Sequence, residues 1–351
     1  MIFPGPARWI ALFVAGPILC IAAEGGAKPD CATCHRAETA AFPQTGMSRA
    51  LESVKDCAIL KQHPELSATI GGYHYEITRQ GDDTRYSVTD GKNKISVLIL
   101  WAFGQGAVGQ TYVFERDGRL FESRVSYFSE LNGLDLTMGA ANRAASNLDE
   151  AAGRLMSATE TLDCFGCHST GLVVSDKMHL DQLTPGIQCA RCHTGAQQHA
   201  QAASTGDGHL AAMQKLGQLT TEEISDFCGQ CHRTWSQIAT DGPHTILNVR
   251  FQPYRLTSSK CYDAVDTRIR CTACHNPHHN LETKPAGYDA KCLACHSAYA
   301  TPPTPASAHI CRVSRTNCVS CHMPKTELPG AHYQFSDHRI RIVRAGEKYP
   351  D

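Results

Sequence analysis

Residues 269–279 read Ile-Arg-Cys-Thr-Ala-Cys-His-Asn-Pro-His-His, which puts two cysteines and three histidines within nine positions. The first part, Cys-x-x-Cys-His, is a repeat. It occurs seven times: Cys31/Cys34/His35, Cys164/Cys167/His168, Cys189/Cys192/His193, Cys228/Cys231/His232, Cys271/Cys274/His275, Cys292/Cys295/His296 and Cys318/Cys321/His322. Fourteen of the 18 cysteines are used this way. Zinc can use Cys-x-x-Cys pairs, but it does not require a histidine directly after every second cysteine. A dithiol redox pair would occur once, beside a βαβ pattern. Disulfides need no histidine at all.

The spacing suits covalent haem attachment. Each thiol adds to one vinyl group, giving two thioethers. The two intervening residues match the distance between the vinyls, and the next residue, histidine, is carried to the iron as proximal ligand. The expectation is seven covalently attached c-type haems, with the cysteines as attachment points and His35, His168, His193, His232, His275, His296 and His322 as proximal ligands. Of the 18 histidines, 11 remain for other roles.

Seven six-coordinate irons need seven further ligands. Met47 follows the first motif after a bend marked by Pro43 and Gly46 and is one candidate; His63 is its local competitor. His199 lies six residues beyond His193, too near to reach the far side of the same iron, so it is expected to serve a neighbouring one. The same holds for the pair His278 and His279, of which His278 is preferred because Pro277 fixes its approach. His332, His338 and His309 complete the set, with His209 and His244 weaker. His74 alternates with Tyr73 and Tyr75 and reads as part of a strand. Outside the motifs, Cys261 and Cys311 are the preferred disulfide pair, leaving Cys57 as a thiol.

The elements that carry these groups fall into two regions. The first two motifs start 133 residues apart, whereas the last six start within the 155 residues from Cys164 to Cys318. Thirty residues or so per haem cannot build a separate apolar core, so the porphyrins should form much of that interior. The gap differs. Alternating runs at 72–78, 84–89, 95–100, 111–115 and 119–125, with Asp90-Gly91 and Asp117-Gly118 as turn signals, predict an antiparallel β insertion over 68–135. One helix is expected over 142–160. The fold class expected is α+β: a haem-packed multihaem cytochrome c with short helices and many loops, plus that insertion. Residues 1–23 read as a signal peptide: Arg8 precedes an apolar run over 9–21, and Ala22-Ala23 offers a cleavage site. The remaining divisions are a single-haem segment at 24–67 and a six-haem domain at 136–351. No later stretch is long and apolar enough to span a bilayer.

The seven motifs, the doubled unit Cys271–His296 and the histidine after His275-Asn276-Pro277 resemble bacterial multihaem cytochromes c. More closely, they resemble the superfamily of cytochrome c-554-type carriers and hydroxylamine oxidoreductase. Pro185-Gly186-Ile187-Gln188 before the third motif, with His199 after it, resembles the same superfamily. The resemblance covers about 28–50 and 160–340. It implies a histidine ligand in a Ser-x-His-Ala setting after the first motif, where this sequence carries Met47. No Cys-x-x-Cys-Lys occurs, which argues against the pentahaem nitrite reductases of the superfamily.

The function expected is an exported, periplasmic electron carrier of a Gram-negative bacterium, exchanging electrons with redox partner proteins. The alternative is an oxidoreductase in which one iron keeps an open face for a small nitrogen or sulfur compound. With 33 Lys and Arg against 34 Asp and Glu, the polypeptide is near neutral and offers no nucleic-acid-binding charge.

Overall fold

The computed structural model describes residues 31–174, 177–205, 213–264, 268–297 and 310–350. The signal segment, His209 and His309 lie outside the described residues. Seven strands run consecutively in one antiparallel sheet: β2 (Glu65–Ile70), β3 (Tyr73–Gln80), β4 (Asp83–Thr89), β5 (Lys94–Phe103), β6 (Gln110–Arg116), β7 (Arg119–Phe128) and β8 (Gly133–Leu136). Two short strands join it: β1 (Leu51–Ser53) on β5 and β9 (Gly153–Leu155) on β7. Local chemistry explains the hairpins. Ile70 pairs with Tyr73 across Gly71-Gly72, and Arg116 with Arg119 across Asp117-Gly118. Both turns have positive φ at their two central residues, as two-residue loops matching strand twist require. Asp90-Gly91 begins a longer turn instead, in which the Asp90 carboxylate accepts from the Lys92 and Asn93 amides at 2.8 and 2.7 Å.

The sheet curls until β2 lies against β8, approaching a closed barrel. Bulges between Ile99 and Trp101 and between Thr111 and Val113 add local twist. Alternate residues point inward, so Tyr75, Ile77, Tyr86, Val88, Tyr112 and Phe114 are buried with almost no exposure. Phe114 stacks on Phe121 at 5.5 Å. Full burial of one such large apolar side chain stabilises by roughly 1.5–3 kcal/mol.

This corrects the expected fold class. The strands are where the alternation put them, but the sheet is no minor insertion in a haem-packed chain. It is the largest element and holds the largest apolar cluster, which also takes in Val54, Cys57, Leu60, Ala151 and Ala152. The helix expected over 142–160 is also replaced. Asn147 caps a short helix, Leu148–Ala152; the chain then extends as β9 before Ser157 caps the helix Ala158–His168. Gly153 is the break: a Cβ there would run into the Glu122 carbonyl oxygen on β7, so only glycine lets β9 lie this close.

The second half has short helices, turns and two-stranded ladders of two or three residues. Among the described residues no helix is long and apolar enough to cross a membrane. Two joints fix this half to the sheet. Phe165 meets Trp101 and Phe103 edge-on at 6.1 and 4.9 Å, within a cluster completed by Leu51, Leu172 and Leu183. Met138, after β8, packs on Val249, Leu328 and Ala331.

Candidate haem-attachment sites

Every motif begins on a tight helical turn. The second closes the helix Ala158–His168 and the fourth closes Thr221–His232; both helices start with a full capping box, Ser157 with Glu160 and Thr220 with Glu223. The third, fifth and seventh form the single turns Cys189–Cys192, Cys271–Cys274 and Cys318–His322. The first is the 3-10 turn Cys31–Thr33, and the sixth follows from the helix Asp289–Leu293. Helical residues three apart share a face, so the two thiols of a motif stand side by side. The histidine lies one turn on. The amides of His35, His193, His275 and His296 donate to the carbonyl of the first cysteine of their motif at 2.8–2.9 Å.

Two of the second cysteines lie outside their turn. Cys34 lies just past the turn Cys31–Thr33, and Cys295 lies past the helix Asp289–Leu293. A single tight turn sets their spacing instead: the Cys34 amide donates to the Cys31 carbonyl at 3.3 Å and the Cys295 amide to that of Cys292 at 3.2 Å. Cys321 sits inside its helical turn. Cys34, Cys189, Cys274 and Cys321 are exposed, while the other motif cysteines are half-buried.

The imidazoles are prepared for metal. His168 Nδ1 lies 2.8 Å from the Ala50 carbonyl oxygen, His322 Nδ1 is 2.9 Å from that of Arg341, and His338 Nδ1 is 3.0 Å from that of Ser336. A carbonyl only accepts, so Nδ1 carries the proton and Nε2 keeps its lone pair. Burial pushes His168, His193, His232 and His275 below the ordinary imidazole range, and His338 to about 4. These rings are neutral at pH 7, the state that binds a metal.

Three histidine pairs face each other. His35 and His199 have ring centroids 6.4 Å apart, His193 and His278 6.0 Å, and His275 and His338 6.1 Å. With metal–nitrogen bonds of roughly 2.0–2.1 Å on either side, two imidazoles across one metal ion stand about 6 Å apart, centroid to centroid. The donor set therefore fits an iron held by two imidazoles. It does not fit a zinc tetrad: among the described residues no group of three or more Cys, His, Asp or Glu side chains could hold a metal ion together. Trp235, Leu247 and Leu281 are among the exposed apolar side chains of this half.

The remaining candidates are placed differently. His332 directs Nε2 at the Asp135 carboxylate on β8, 2.8 Å away, with its ring edge-on to Phe128 at 4.7 Å, so it ties the C-terminal segment to the sheet. His63 Nε2 is 3.2 Å from the Tyr127 hydroxyl. His74 sits on β3 beside Thr69, as its alternation implied. Met47 is half-buried, and its carbonyl accepts from the Ile187 amide at 3.1 Å, so the loop after the first motif is pinned to the approach to the third. His279 stays in the turn after His275, its amide on the Asn276 carbonyl. The disulfide expectation is corrected: Cys261 and Cys311 are not joined, and Cys311 is exposed. Cys57 is fully buried, its Sγ 3.2 Å from Gln110 Oε1, and burial pushes its thiol up to about 11.

Residues 134–194 match the family model of cytochrome c554 and c-prime. That stretch runs from β8 through the second and third motifs. The match supports a c-type cytochrome, with covalent haem and electron transfer as its chemistry. No curated protein and no solved structure matches the chain.

The motifs also have an order in space. Cys31 faces Cys189, linking the first motif to the third. Cys192 lies near Cys228, and Arg191 reaches Gln230 at 3.4 Å, linking third to fourth. Cys167 faces Cys231, and Cys228 faces Cys271, so the second and fifth both flank the fourth. Cys274 lies near Cys292, which faces Cys318. The Asp289 carboxylate, before the sixth motif, accepts from the amides of Asn317 and Cys318 at 2.8 and 2.9 Å and so caps the turn of the seventh. Sequence reasoning missed Asp289 and the pair Arg255–Asp337, because each acts through a segment distant in the chain.

Proposed function

We propose that the chain is an exported heptahaem c-type cytochrome that carries electrons between redox partner proteins. The observation that carries this reading is the run of adjacent motifs, first–third–fourth–fifth–sixth–seventh with the second beside the fourth, together with the three facing histidine pairs. Haem iron supplies one-electron redox chemistry when bound. The residues do the rest. Paired cysteines tether, and His35, His168, His193, His232, His275, His296 and His322 bind from the proximal side. His199, His278 and His338 are assigned opposite His35, His193 and His275. His199 thereby takes the place expected of Met47, and His332 is assigned to the joint with β8. A ligand set of two imidazoles changes little between oxidation states, which suits a carrier. The first and seventh motifs are the two ends of the run, where electrons would enter and leave. The multihaem character, the kinship with hydroxylamine oxidoreductase-type proteins and the periplasmic location belong to this proposal.

Carbon monoxide binding to the reduced, matured protein tests the carrier reading. A carrier with every iron closed gives no Soret shift, while His278→Gly opens one site and gives one haem's worth. A one-haem shift in the unaltered protein would instead favour an oxidoreductase with an open iron, and no shift in His278→Gly would remove His278 from the ligand set.

A further inference from the structure

The C-terminal segment 337–341 is held by a buried ionic clamp. Arg255 is 1 % exposed and Asp337 is fully buried. The guanidinium grips the carboxylate with two bonds, Nε to Oδ1 and Nη2 to Oδ2, both 2.9 Å. Its Nη1 donates to Asn248 Oδ1 at 3.2 Å and to the Pro350 carbonyl at 2.9 Å, and its face lies 4.7 Å from the Tyr349 ring centroid. Asp337 also accepts from Arg341 Nη1 at 2.7 Å and from the Arg339 amide at 3.0 Å. A fully bonded buried pair of this kind is costly to desolvate and adds little net stability. Its better-attested use is to fix one arrangement.

What it fixes is His338. One helix, Gln252–Thr257, and the residues after it hold the backbone on either side of that histidine. Ser259 Oγ donates to the His338 carbonyl at 2.8 Å and accepts from the Ile340 amide at 2.9 Å; the Lys260 amide donates to the Ile340 carbonyl at 3.2 Å. On the imidazole itself, Nδ1 is bonded to the Ser336 carbonyl, which leaves Nε2 as the nitrogen able to ligate, in a ring whose centroid is 6.1 Å from that of His275. The same segment reaches the seventh motif. The Arg341 amide donates to the His322 carbonyl at 3.2 Å, and the Arg341 carbonyl accepts from His322 Nδ1 at 2.9 Å.

We infer that Arg255, Asp337 and Ser259 are positioning residues for an axial ligand: they hold His338 across from His275 and, through Arg341, set the ring of His322 in the seventh motif. This rests on the assignment of His338 as a ligand. The segment 337–341 thereby couples a distal imidazole at the fifth motif to a proximal one at the seventh. A core ion pair with no such duty would need neither the Ser259 bridge nor the two contacts to His322.

The test uses the matured full chain with seven haems, reduced and titrated with carbon monoxide. His338→Gly is the reference and opens one site. Ser259→Ala and Arg255→Lys are the clamp variants; the first is mild enough to keep the fold, the second keeps the charge but loses the fork. The expected result is a partial, one-haem Soret shift in each, reversed by millimolar imidazole. The double variant Ser259→Ala/His338→Gly should open no more than His338→Gly alone. Clamp variants with full haem content and no carbon monoxide binding, beside an open His338→Gly, would overturn the positioning role alone. A closed His338→Gly would overturn the ligand assignment beneath it.

Discussion

At the residue scale, two side chains lead to direct predictions. Gly186 has φ +71°, and a Cβ there would strike the Ser48 carbonyl oxygen. Alanine must therefore move the loop carrying Met47 or the approach to the third motif. Overpacking of this kind costs about 1–3 kcal/mol, so Gly186→Ala should lower the thermal midpoint, while Gly217→Ala, where a Cβ would meet nothing, should not. The thiol of Cys57 is buried and raised to about 11, so it stays protonated at pH 8. A thiol reagent should leave it untouched in the native protein and label Cys311, which is exposed and whose thiol is lowered by the Ser314 and Val313 amides. Under denaturing, non-reducing conditions Cys57, Cys261 and Cys311 should all react, and labelling of Cys57 alone would restore the disulfide. The motif residues were fully legible in the sequence, because covalent chemistry allows one spacing. The exposure of Cys34, Cys189, Cys274 and Cys321 was not, since it depends on what folds over each turn. The partners of His35, His193 and His275 were only half legible: His199, His278 and His338 could be named, but which histidine each would face is set by folding between distant motifs.

At the scale of elements, the joint between sheet and helices centres on Phe165, which touches Trp101 and Phe103, while Phe103 also lies 5.2 Å from the His168 ring. Replacing a buried phenylalanine by alanine costs about 3–5 kcal/mol. Phe165→Ala should lose that much in denaturant unfolding and should perturb the haem at the second motif more than that at the seventh. The link from Asp289 to the turn of the seventh motif has a defined pH dependence. Amide bonds from Cys318 and Asn317 hold its carboxyl below the ordinary range. Its contribution is therefore complete above the unfolded carboxylate pKa and lost as pH falls through the lower folded value. Asp289→Asn should flatten acid unfolding at that end of the molecule, and an unchanged acid profile would contradict the role. The strands were legible because alternation and the Asp117-Gly118 turn are local signals. The helix expected over 142–160 was not, because Gly153 there serves contact with Glu122, far away in sequence.

At the scale of the whole molecule, a nearly closed β barrel with its own apolar core is joined to a half whose short turns carry most of the motifs. The barrel buries its own tyrosines and phenylalanines; the other half has few buried apolar residues and many exposed ones. That asymmetry is what covalently bound haem would repair. Closure of β2 on β8 was invisible in the sequence because neither edge strand carries a mark of its partner. Without haem the barrel should keep its β circular dichroism while the second half loses helicity. The account turns on whether every motif is occupied, and the intact mass of the matured, exported protein measures this directly. The mass should equal that of the chain cleaved after Ala23 plus seven covalently bound haems. A mass with fewer haems, or with haem lost on acid–acetone extraction, would contradict it.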